Sequence, residues 1–301
     1  MYDLVHVVDQ GNSMYLRVLR NIPRLITCHD LLAIRSARGE FPDWPTRWSG
    51  KLLQRWILSS LRTAPHVLCV SRKTEDDLKS LIREDGPEMR MIHNALNWSY
   101  GPGVTLSEGL ISRLGIGQGK PYILHVGGNQ WYKNRVGVLR IFARVTEQIE
   151  YPAMRMVLAG PPFTTAMRDV IRKEGLGDRV VEATLVTNEE LQALYGNALA
   201  LLFPSLEEGF GWPILEAQAC GCPVITTNRP PMSEIAGEAA IYINSTDPKA
   251  AATVIVSGLK GSEQLRTAGF CNLKRFDEKE IVDSYLAFYK AILEEEHSIP
   301  W

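Results

Sequence analysis

The sequence predicts a two-domain α/β protein in which helices cover sheets of parallel strands. Its 301 residues suit two domains of roughly 100–200 residues each. Short apolar runs alternate with amphipathic segments, which is typical of doubly wound sheets. The segment Gly101-Pro102-Gly103 can continue neither a helix nor a central strand. We therefore expect an N-terminal domain over 1–103, a second domain over 104–277 and a C-terminal helix over 278–301, packing back on the first domain.

Ten apolar runs are predicted to be buried parallel strands. Four precede the Gly-Pro-Gly segment, at 4–8, 24–28, 66–70 and 89–94. Six follow it, at 122–127, 154–160, 179–183, 198–204, 223–227 and 239–244. Helical patterns separate them, at 48–61, 135–148, 164–174, 188–195, 213–220, 247–259 and 278–296. With only four strands, the first domain is expected to be short or incomplete.

Composition excludes several classes of protein. The net charge of −1 (33 Lys+Arg against 34 Asp+Glu) gives no global field to hold nucleic acid. There is no run of about 18 apolar residues, so no membrane span is expected. The N-terminus lacks the pattern of a secretory signal. Five cysteines, an odd number in a large chain, suggest reduced thiols. We therefore expect a cytoplasmic protein, and its oligomeric state stays open.

Residues 1–103 are weakly basic, with 14 Lys+Arg against 11 Asp+Glu. Three tryptophans and four basic residues share one part of this region: Trp44, Trp48, Trp56, Arg47, Lys51, Arg55 and Arg62. One interpretation is a surface for an anionic acceptor or a membrane, which would place the protein peripherally at the inner face of a membrane. The favoured alternative is a helix that packs its tryptophans inward and keeps its charges in water.

The densest chemical signal is the segment SLEEGFGWPILEAQACGCPVI (205–225). It follows an apolar strand and turns into a helix near Pro213, a residue that suits the first helical turn. Gly209 and Gly211 permit close approach of a ligand to the backbone. Free amides at the helix start suit a phosphate. The segment also lies at the carboxyl end of a strand, where such sheets bind ligands.

Two carboxylates, Glu208 and Glu216, flank this loop. They would repel a bare phosphate, but ionised carboxylates accept hydrogen bonds from sugar hydroxyls. A phosphate with sugars on both sides is a nucleotide-sugar. The alternative, a capped helix with solvated acids, has equal weight on these residues alone.

A second signal is YILHVGGNQWYKNR (122–135), in which a strand, two glycines and a helix start surround Lys133. A lysine ammonium is a compact charge suited to a leaving diphosphate. The segment AGPP (159–162) is a third glycine-containing strand end. His125 lies within a strand and is predicted to be a core residue with satisfied hydrogen bonds. His29 follows a strand, so a core role and a functional role are equally weighted there.

Three stretches resemble a known family. The motif from Glu208 to Glu216 resembles the Glu-x7-Glu motif of retaining glycosyltransferases of the GT-B type, family four, also called glycosyl transferases group 1. HVGGNQWYKN resembles their donor-diphosphate loop, and LVHVVDQGN, ITCHDLLAI and VLCVSRKTEDDL resemble their acceptor domain. The resemblance implies a GT-B fold, in which two Rossmann-like domains face a cleft.

The family also implies roles for individual residues. Glu208, His29 and Lys133 would be catalytic: Glu208 at the anomeric carbon, His29 on the acceptor side and Lys133 at the leaving phosphates. Glu216 would take the ribose hydroxyls and Val186 would lie against the base. The expected donor-binding set is Gly127, Gly128, Asn129, Lys133, Gly160, Val186, Glu190, Gly209, Phe210, Gly211, Trp212 and Glu216.

The activity so implied is transfer of a hexose, with mannose as one candidate, from a nucleotide diphosphate sugar to a carbohydrate or lipid-linked acceptor. The anomeric configuration would be retained and neither a metal nor a cofactor would be needed. Polysaccharide or lipopolysaccharide assembly is the implied setting. Many relatives have an arginine where this chain has Tyr132, and Arg135 is a candidate substitute. Two alternatives stay open: a nucleotide-sugar epimerase of the same fold and a non-catalytic nucleotide-sugar-binding subunit.

Overall fold

The computed structural model describes residues 3–82, 86–117, 119–149 and 153–297. Contacts divide the chain into two compact units. Unit 1 comprises residues 1–95, 208–210 and 276–301. Unit 2 comprises residues 96–207 and 211–275. The chain therefore leaves unit 2 twice after residue 96: for three residues within the Glu-x7-Glu motif, and finally after residue 275.

Unit 1 contains one parallel sheet with its strands in sequence order, β1-β2-β3-β4. The strands are β1 (Val5–Val7), β2 (Arg24–Cys28), β3 (His66–Cys69) and β4 (Glu88–Met91). The helices are α1 (Leu32–Ala37), α2 (Trp48–Leu61) and α3 (Arg72–Leu81), with a 3-10 helix at Gln10–Arg17 and α12 (Glu278–His297). Apolar side chains of β2, β3, α2 and α3 form the core of this unit.

The two outer strands of unit 1 are not buried as the sequence predicts. All three residues of β1 are half-buried, and Val8 just after it is 66% exposed. Along β4 the side chains alternate between exposed and half-buried positions. Among the described strands each of these two pairs with one neighbour only. Central strands have a neighbouring strand on both sides, whereas outer strands have one on one side only. An apolar run in the sequence does not show which of the two positions a strand will take.

Unit 2 contains a six-stranded parallel sheet in the order β10-β9-β8-β5-β6-β7. Its strands are β5 (Tyr122–Val126), β6 (Arg155–Ala159), β7 (Val180–Ala183), β8 (Ala200–Phe203), β9 (Val224–Thr227) and β10 (Ile241–Ile243). Its helices are α4 (Glu108–Leu114), α5 (Arg135–Thr146), α6 (Thr165–Lys173), α7 (Asn188–Asn197), α8 (Trp212–Ala219), α9 (Met232–Ala236), α10 (Pro248–Gly258) and α11 (Ser262–Leu273). The largest part of the core comes from α5, which packs with α10, α6 and the strands β6, β8 and β10.

The Gly-Pro-Gly segment is attached to unit 2. The side-chain amide of Gln192 donates to the carbonyl of Gly101 (3.0 Å), and that of Asn197 donates to the carbonyl of Val104 (2.9 Å). Tyr100 makes an edge-on ring contact with Tyr195, 6.0 Å between centroids. The division between the units falls after Ala95, whereas the sequence suggested residue 103.

Helix α12 packs within unit 1. Phe288 is buried, with its ring edge-on to His66 at 6.0 Å. The hydroxyl of Tyr289 lies 2.7 Å from Nδ1 of His6 on β1. The last residues of the expected helix, 298–301, lie outside the described part of the chain. In the described part, no helix is both long and apolar enough to cross a membrane.

The favoured interpretation of the tryptophans is wrong. Trp44, Trp48 and Trp56 are 44%, 77% and 48% exposed. Helix α2 buries Ile57 and Leu61 instead, because these lie on the face opposite Trp48.

Candidate functional site

The sheet order of unit 2 creates a crevice at one position. β5 and β8 are neighbours at the centre of the sheet, and the strand order reverses between them. The chain leaves the carboxyl ends of these two strands in opposite directions, which is where open α/β sheets bind ligands. The loop after β5 carries Gly127 to Lys133, and the loop after β8 leads to α8. Both sequence motifs therefore end at this crevice.

Gly160, after β6, is required by a close backbone approach. Its φ is +148°, and a Cβ atom there would lie 2.2 Å from the carbonyl oxygen of Gly127. The Gly127 amide donates to the carbonyl of Ala159 at 3.1 Å. A Cβ on Gly128 would meet only the side chain of Gln130, which is flexible. The loops after β5 and β6 thus touch through their backbones, and only glycine fits at 160.

Lys133 ends a 3-10 helix at Trp131–Lys133. Its ammonium lies 5.3 Å from the ring centroid of Phe203 on β8 and 5.6 Å from that of Tyr132. These distances allow cation–π attraction, which holds the charge near the end of β8. Asn134 follows in the left-handed region, φ 53°, and its amide donates to the carbonyl of Pro204 at 3.1 Å. The lysine is therefore positioned between the loops after β5 and β8.

Arg135 ties the loops after β5 and β6 together. One of its terminal nitrogens donates to the carbonyl of Pro161 (2.9 Å) and to the side chain of Asn129. Asn129 in turn donates to the carbonyl of Pro162 (2.9 Å). Nε and the other terminal nitrogen have no partner in the described residues. Burial lowers the pKa of Arg135, opposed by Glu182. The guanidinium is thus a buried cation with donors left over beside the crevice.

His125 is not the fully satisfied core residue that the sequence predicts. The carbonyl of Leu202 can only accept, so Nδ1 of His125, 2.9 Å away, donates to it. Nε2 is buried and has no partner among the described residues. Burial lowers the pKa of His125 to about 3, which keeps the ring neutral. A Cβ on Gly127 would lie 3.2 Å from Nε2, so an unused acceptor lies under the glycine loop.

Glu216 is buried one turn into α8. The helix begins at Trp212, half-buried, after Gly211, whose φ is +109°. Tyr195 on α7 donates to the Glu216 carboxylate at 2.8 Å, and Asn97 also hydrogen-bonds it. Burial raises the pKa of Glu216; the two hydrogen bonds and the charge of Lys133 oppose that rise. The carboxylate is therefore oriented and lies within electrostatic range of Lys133.

Tyr195 and Asn97 are site residues that sequence reasoning missed. They lie 21 and 119 positions before Glu216, outside any motif. Tyr195 is fully buried in α7, where an apolar periodicity explains it equally well. Nothing in the sequence alone indicates their contact with the carboxylate.

Glu208, Gly209 and Phe210 belong to unit 1 by their contacts. The carbonyl of Gly209 accepts from the hydroxyls of Ser71 (2.7 Å) and Thr74 (3.1 Å), at the start of α3. A Cβ on Gly209 would lie 2.0 Å from the carbonyl oxygen of His29. The backbone of this segment is therefore fixed against β2 and α3, and Gly209 has no room for a side chain.

The side chains of Glu208, Phe210 and His29 are fixed by burial and by contacts within unit 1. Glu208 is 8% exposed and Phe210 is 4% exposed. The Phe210 ring packs against His93 and Phe276, each 6.1 Å between centroids. Nε2 of His29 donates to the carbonyl of Val8 at 2.9 Å, because a carbonyl can only accept. Nε2 of His29 therefore carries a proton.

Val186 and Glu190 follow β7, away from the central strands. Leu185, just before Val186, has φ 53° and is 93% exposed. Val186 itself is half-buried. The Glu190 carboxylate closes a capping box with Thr187 and pairs with Arg113 at 2.6 Å. The Arg113 contact, then the Thr187 backbone, lowers the pKa of Glu190. Glu190 therefore has a clear structural role in starting α7.

One group of side chains in the described residues could hold a metal ion: His66, Glu88 and Glu295. His66 and Glu88 begin β3 and β4. His29 follows the carboxyl end of β2. The group therefore lies at the amino-terminal ends of the strands of unit 1, whereas His29 lies at their carboxyl-terminal ends.

Two family models match the chain. Glycosyl transferases group 1 matches residues 108–269, and Glycosyltransferase Family 4 matches residues 1–99. The chain is 28% identical over 278 residues to the O-antigen chain mannosyltransferase of Salmonella typhimurium, covering 90% of this chain and 70% of that protein. It is 26% identical to a D-inositol 3-phosphate glycosyltransferase of Corynebacterium diphtheriae, covering 82% of this chain and 60% of that protein.

Solved structures show the same fold. Sucrose-phosphate synthase from Thermosynechococcus elongatus superposes with a TM-score of 0.78 at 21% identity, over 98% of this chain and 74% of that one. Anabaena HepE, in complex with UDP and glucose, superposes with a TM-score of 0.74 at 17% identity, over 96% and 78%. With two parallel α/β units and a model match over more than half its length, the chain is a GT-B glycosyltransferase of the glycosyl transferases group 1 family.

Proposed function

We propose that the chain transfers a sugar from a nucleoside diphosphate sugar to an acceptor hydroxyl with retention of anomeric configuration. The observation that carries this proposal is the chemistry at the crevice of unit 2. A lysine, glycine-rich backbone and a buried carboxylate lie together where the strand order reverses. The lysine and the backbone amides can bind a diphosphate, and the carboxylate can accept hydrogen bonds from the ribose hydroxyls.

In the donor complex, Lys133 binds the diphosphate, and the backbone of 127–128 and 211–212 approaches it closely. Glu216 accepts from the ribose hydroxyls. Tyr195 and Asn97 support this role, because their hydrogen bonds fix the carboxylate before the nucleotide arrives. Preorganised groups lose less entropy on binding. Val186 is assigned to the base.

The transfer step uses the residues held in unit 1. Glu208 acts on the transferred sugar and stabilises positive charge at its anomeric carbon as the bond to the diphosphate breaks. The acceptor oxygen forms its bond on the same face, and its proton passes to the departing phosphate. His29 lies on the acceptor side. Lys133 neutralises charge on the leaving diphosphate, so catalysis comes from positioning and electrostatics.

The proposed setting is assembly of a bacterial polysaccharide or lipopolysaccharide, on a carbohydrate or lipid-linked acceptor. The Salmonella relative, an O-antigen chain mannosyltransferase by name, supports this setting and makes mannose the first sugar to test. We also propose that no metal is required, since Lys133 and backbone amides supply the positive field for the phosphates.

The test is a thermal-shift screen with GDP-, UDP- and ADP-sugars, followed by product analysis by NMR. A bound donor stabilises the folded chain by mass action, by about 2.7 kcal/mol at 100 times its Kd. We expect one donor to stand out and, with acceptor and excess chelator, a product of retained configuration.

Three results would contradict the proposal. An altered sugar on the nucleotide, formed with no acceptor present, identifies an epimerase. Donor binding without turnover across an acceptor panel identifies a binding subunit. Loss of turnover on chelation, restored by a divalent metal, removes the metal-independent mechanism.

A further inference from the structure

Helix α2 carries an apolar stripe on its solvent side. Trp48, Leu52 and Trp56 recur every four residues and are 77%, 56% and 48% exposed. At about 100° per residue they lie within an arc of about 80°. The opposite face buries Ile57 and Leu61 in the core of unit 1. Large apolar side chains exposed together mark an interaction surface.

A row of basic residues borders this stripe. Lys51, Arg55 and Arg62 are exposed and lie within an adjacent arc of about 40°. Arg17, from the 3-10 helix packed on α2, donates to the hydroxyl of Ser59 at 2.8 Å and brings another cation to the same side. No Asp or Glu occurs between Asp43 and Glu75. The surface is therefore apolar along one line and uniformly positive along the next.

We propose that this face of α2 binds an anionic lipid bilayer surface. Exposed tryptophans beside lysine and arginine are the side chains that bind at the boundary between headgroups and acyl chains. Anionic headgroups complement the basic row. A second copy of the chain fits less well, because pairing two such faces brings like charges together. The helix lies on the membrane and does not cross it.

Another described helix with exposed apolar residues provides the internal control. Val282 and Leu286 of α12 are 47% and 48% exposed with the same four-residue spacing. Their exposed neighbours include both acids and bases: Asp283 pairs with Lys279 at 2.7 Å, and Lys290 follows one turn after Leu286. The α12 face thus has similar apolar exposure but a border of mixed charge, so anionic lipid should bind it less well than the α2 face.

The experiment is co-sedimentation of the full chain with phosphatidylcholine vesicles, with and without phosphatidylglycerol. We expect binding only to the vesicles that contain phosphatidylglycerol, weakening as salt is raised. Lys51→Gln with Arg55→Gln should weaken binding about 25-fold, since each basic residue near such a surface contributes about fivefold. Trp48→Ser with Leu52→Ser and Trp56→Ser should abolish it.

The control Val282→Ser with Leu286→Ser should bind as the parent chain does, and circular dichroism should show that every variant folds. Equal binding by the tryptophan variant, or no binding of the parent to phosphatidylglycerol vesicles, overturns the proposal. So does a dimer in analytical ultracentrifugation that the tryptophan variant dissociates, because α2 would then be a self-association face. Quenching of tryptophan fluorescence by brominated lipid, lost in the tryptophan variant, would support insertion of α2.

Discussion

The two sheets differ in one topological respect, and the difference parallels the proposed separation of donor binding from chemistry. In unit 2 the strand order reverses between β5 and β8, and the lysine and buried carboxylate of the crevice follow those strands. In unit 1 the four described strands run in sequence order without a reversal. Its proposed catalytic residues, Glu208 and His29, lie instead in loops beside β2 and α3. Unit 2 thus has the strand order that typically creates a ligand-binding crevice, whereas the role proposed for unit 1 depends on individually positioned side chains.

The Glu-x7-Glu motif shows the same division. Glu208 to Phe210 belongs to unit 1 and Gly211 to Glu216 belongs to unit 2. A motif of nine residues therefore contributes to both units. If the division has functional meaning, substitutions on its two sides should affect different steps of the reaction.

The largest effect is expected for Glu208→Gln. Loss of the carboxylate charge should lower turnover by about 100- to 1000-fold, the usual cost of removing one group that stabilises a transition state. Affinity for the bare nucleoside diphosphate, measured by calorimetry, should stay within about twofold, because Glu208 is assigned to the sugar and not to the nucleotide. Removal of a charged hydrogen-bond partner of the nucleotide would weaken binding by more than that. A parallel loss of nucleotide affinity would break the proposed separation between the units.

Lys133→Ala, in unit 2, should affect donor binding. We expect nucleoside diphosphate affinity to fall about 10- to 100-fold, the range for a hydrogen bond to a charged group. The control is Lys120→Ala, which removes an exposed lysine before β5, at the opposite end of the same strand. Calorimetry should show a loss for the first variant only, and equal affinities would remove the phosphate role of Lys133.

Gly160→Ala tests the contact between the loops after β5 and β6. The new methyl group would collide with the Gly127 carbonyl, so we expect a loss in unfolding free energy of about 2 kcal/mol or more. Gly175→Ala is the matched control: it also has positive φ, at +62°, but open space around it. Its cost should be limited to about 1–2 kcal/mol from the backbone conformation alone. Urea denaturation compares the two, and equal costs would show that the loops yield easily.

Glu216→Gln should separate stability from binding within unit 2. Because burial raises the pKa of Glu216, its ionisation costs the folded chain free energy. That cost is absent below the ordinary carboxyl pKa of 4.5 and appears as the pH rises through the raised value. The variant should therefore melt at a higher temperature than the parent at neutral pH, with the difference disappearing below pH 4.5.

The same variant should bind nucleoside diphosphate about tenfold more weakly, because a charged acceptor for the ribose is removed. Glu238→Gln, at an exposed position in unit 2, should change neither property. A melting temperature that falls at neutral pH would mean that the charge of Glu216 stabilises the fold, contrary to the raised pKa.

Most of the strands could be predicted from the sequence, because buried parallel strands are short apolar runs separated by turn residues. All ten occur where the pattern indicates, as do the helices at Trp48–Leu61 and Arg135–Thr146. Five of the described helices have no counterpart in the predicted pattern: α1, α3, α4, α9 and α11. The membership of the fold family followed from the two motifs, which are local in sequence. Assignment of the donor-binding and catalytic residues remains a prediction.

Local sequence determined the strand ends, the glycines and the two motif carboxylates, because these depend on neighbours within a few positions. Tertiary structure decided the rest. It exposed Trp48, left Nε2 of His125 without a partner among the described residues and brought Tyr195 and Asn97 to Glu216. Periodicity shows only that a helix has two faces. Which face is covered, and which buried polar atom finds a partner, depends on elements distant in the chain.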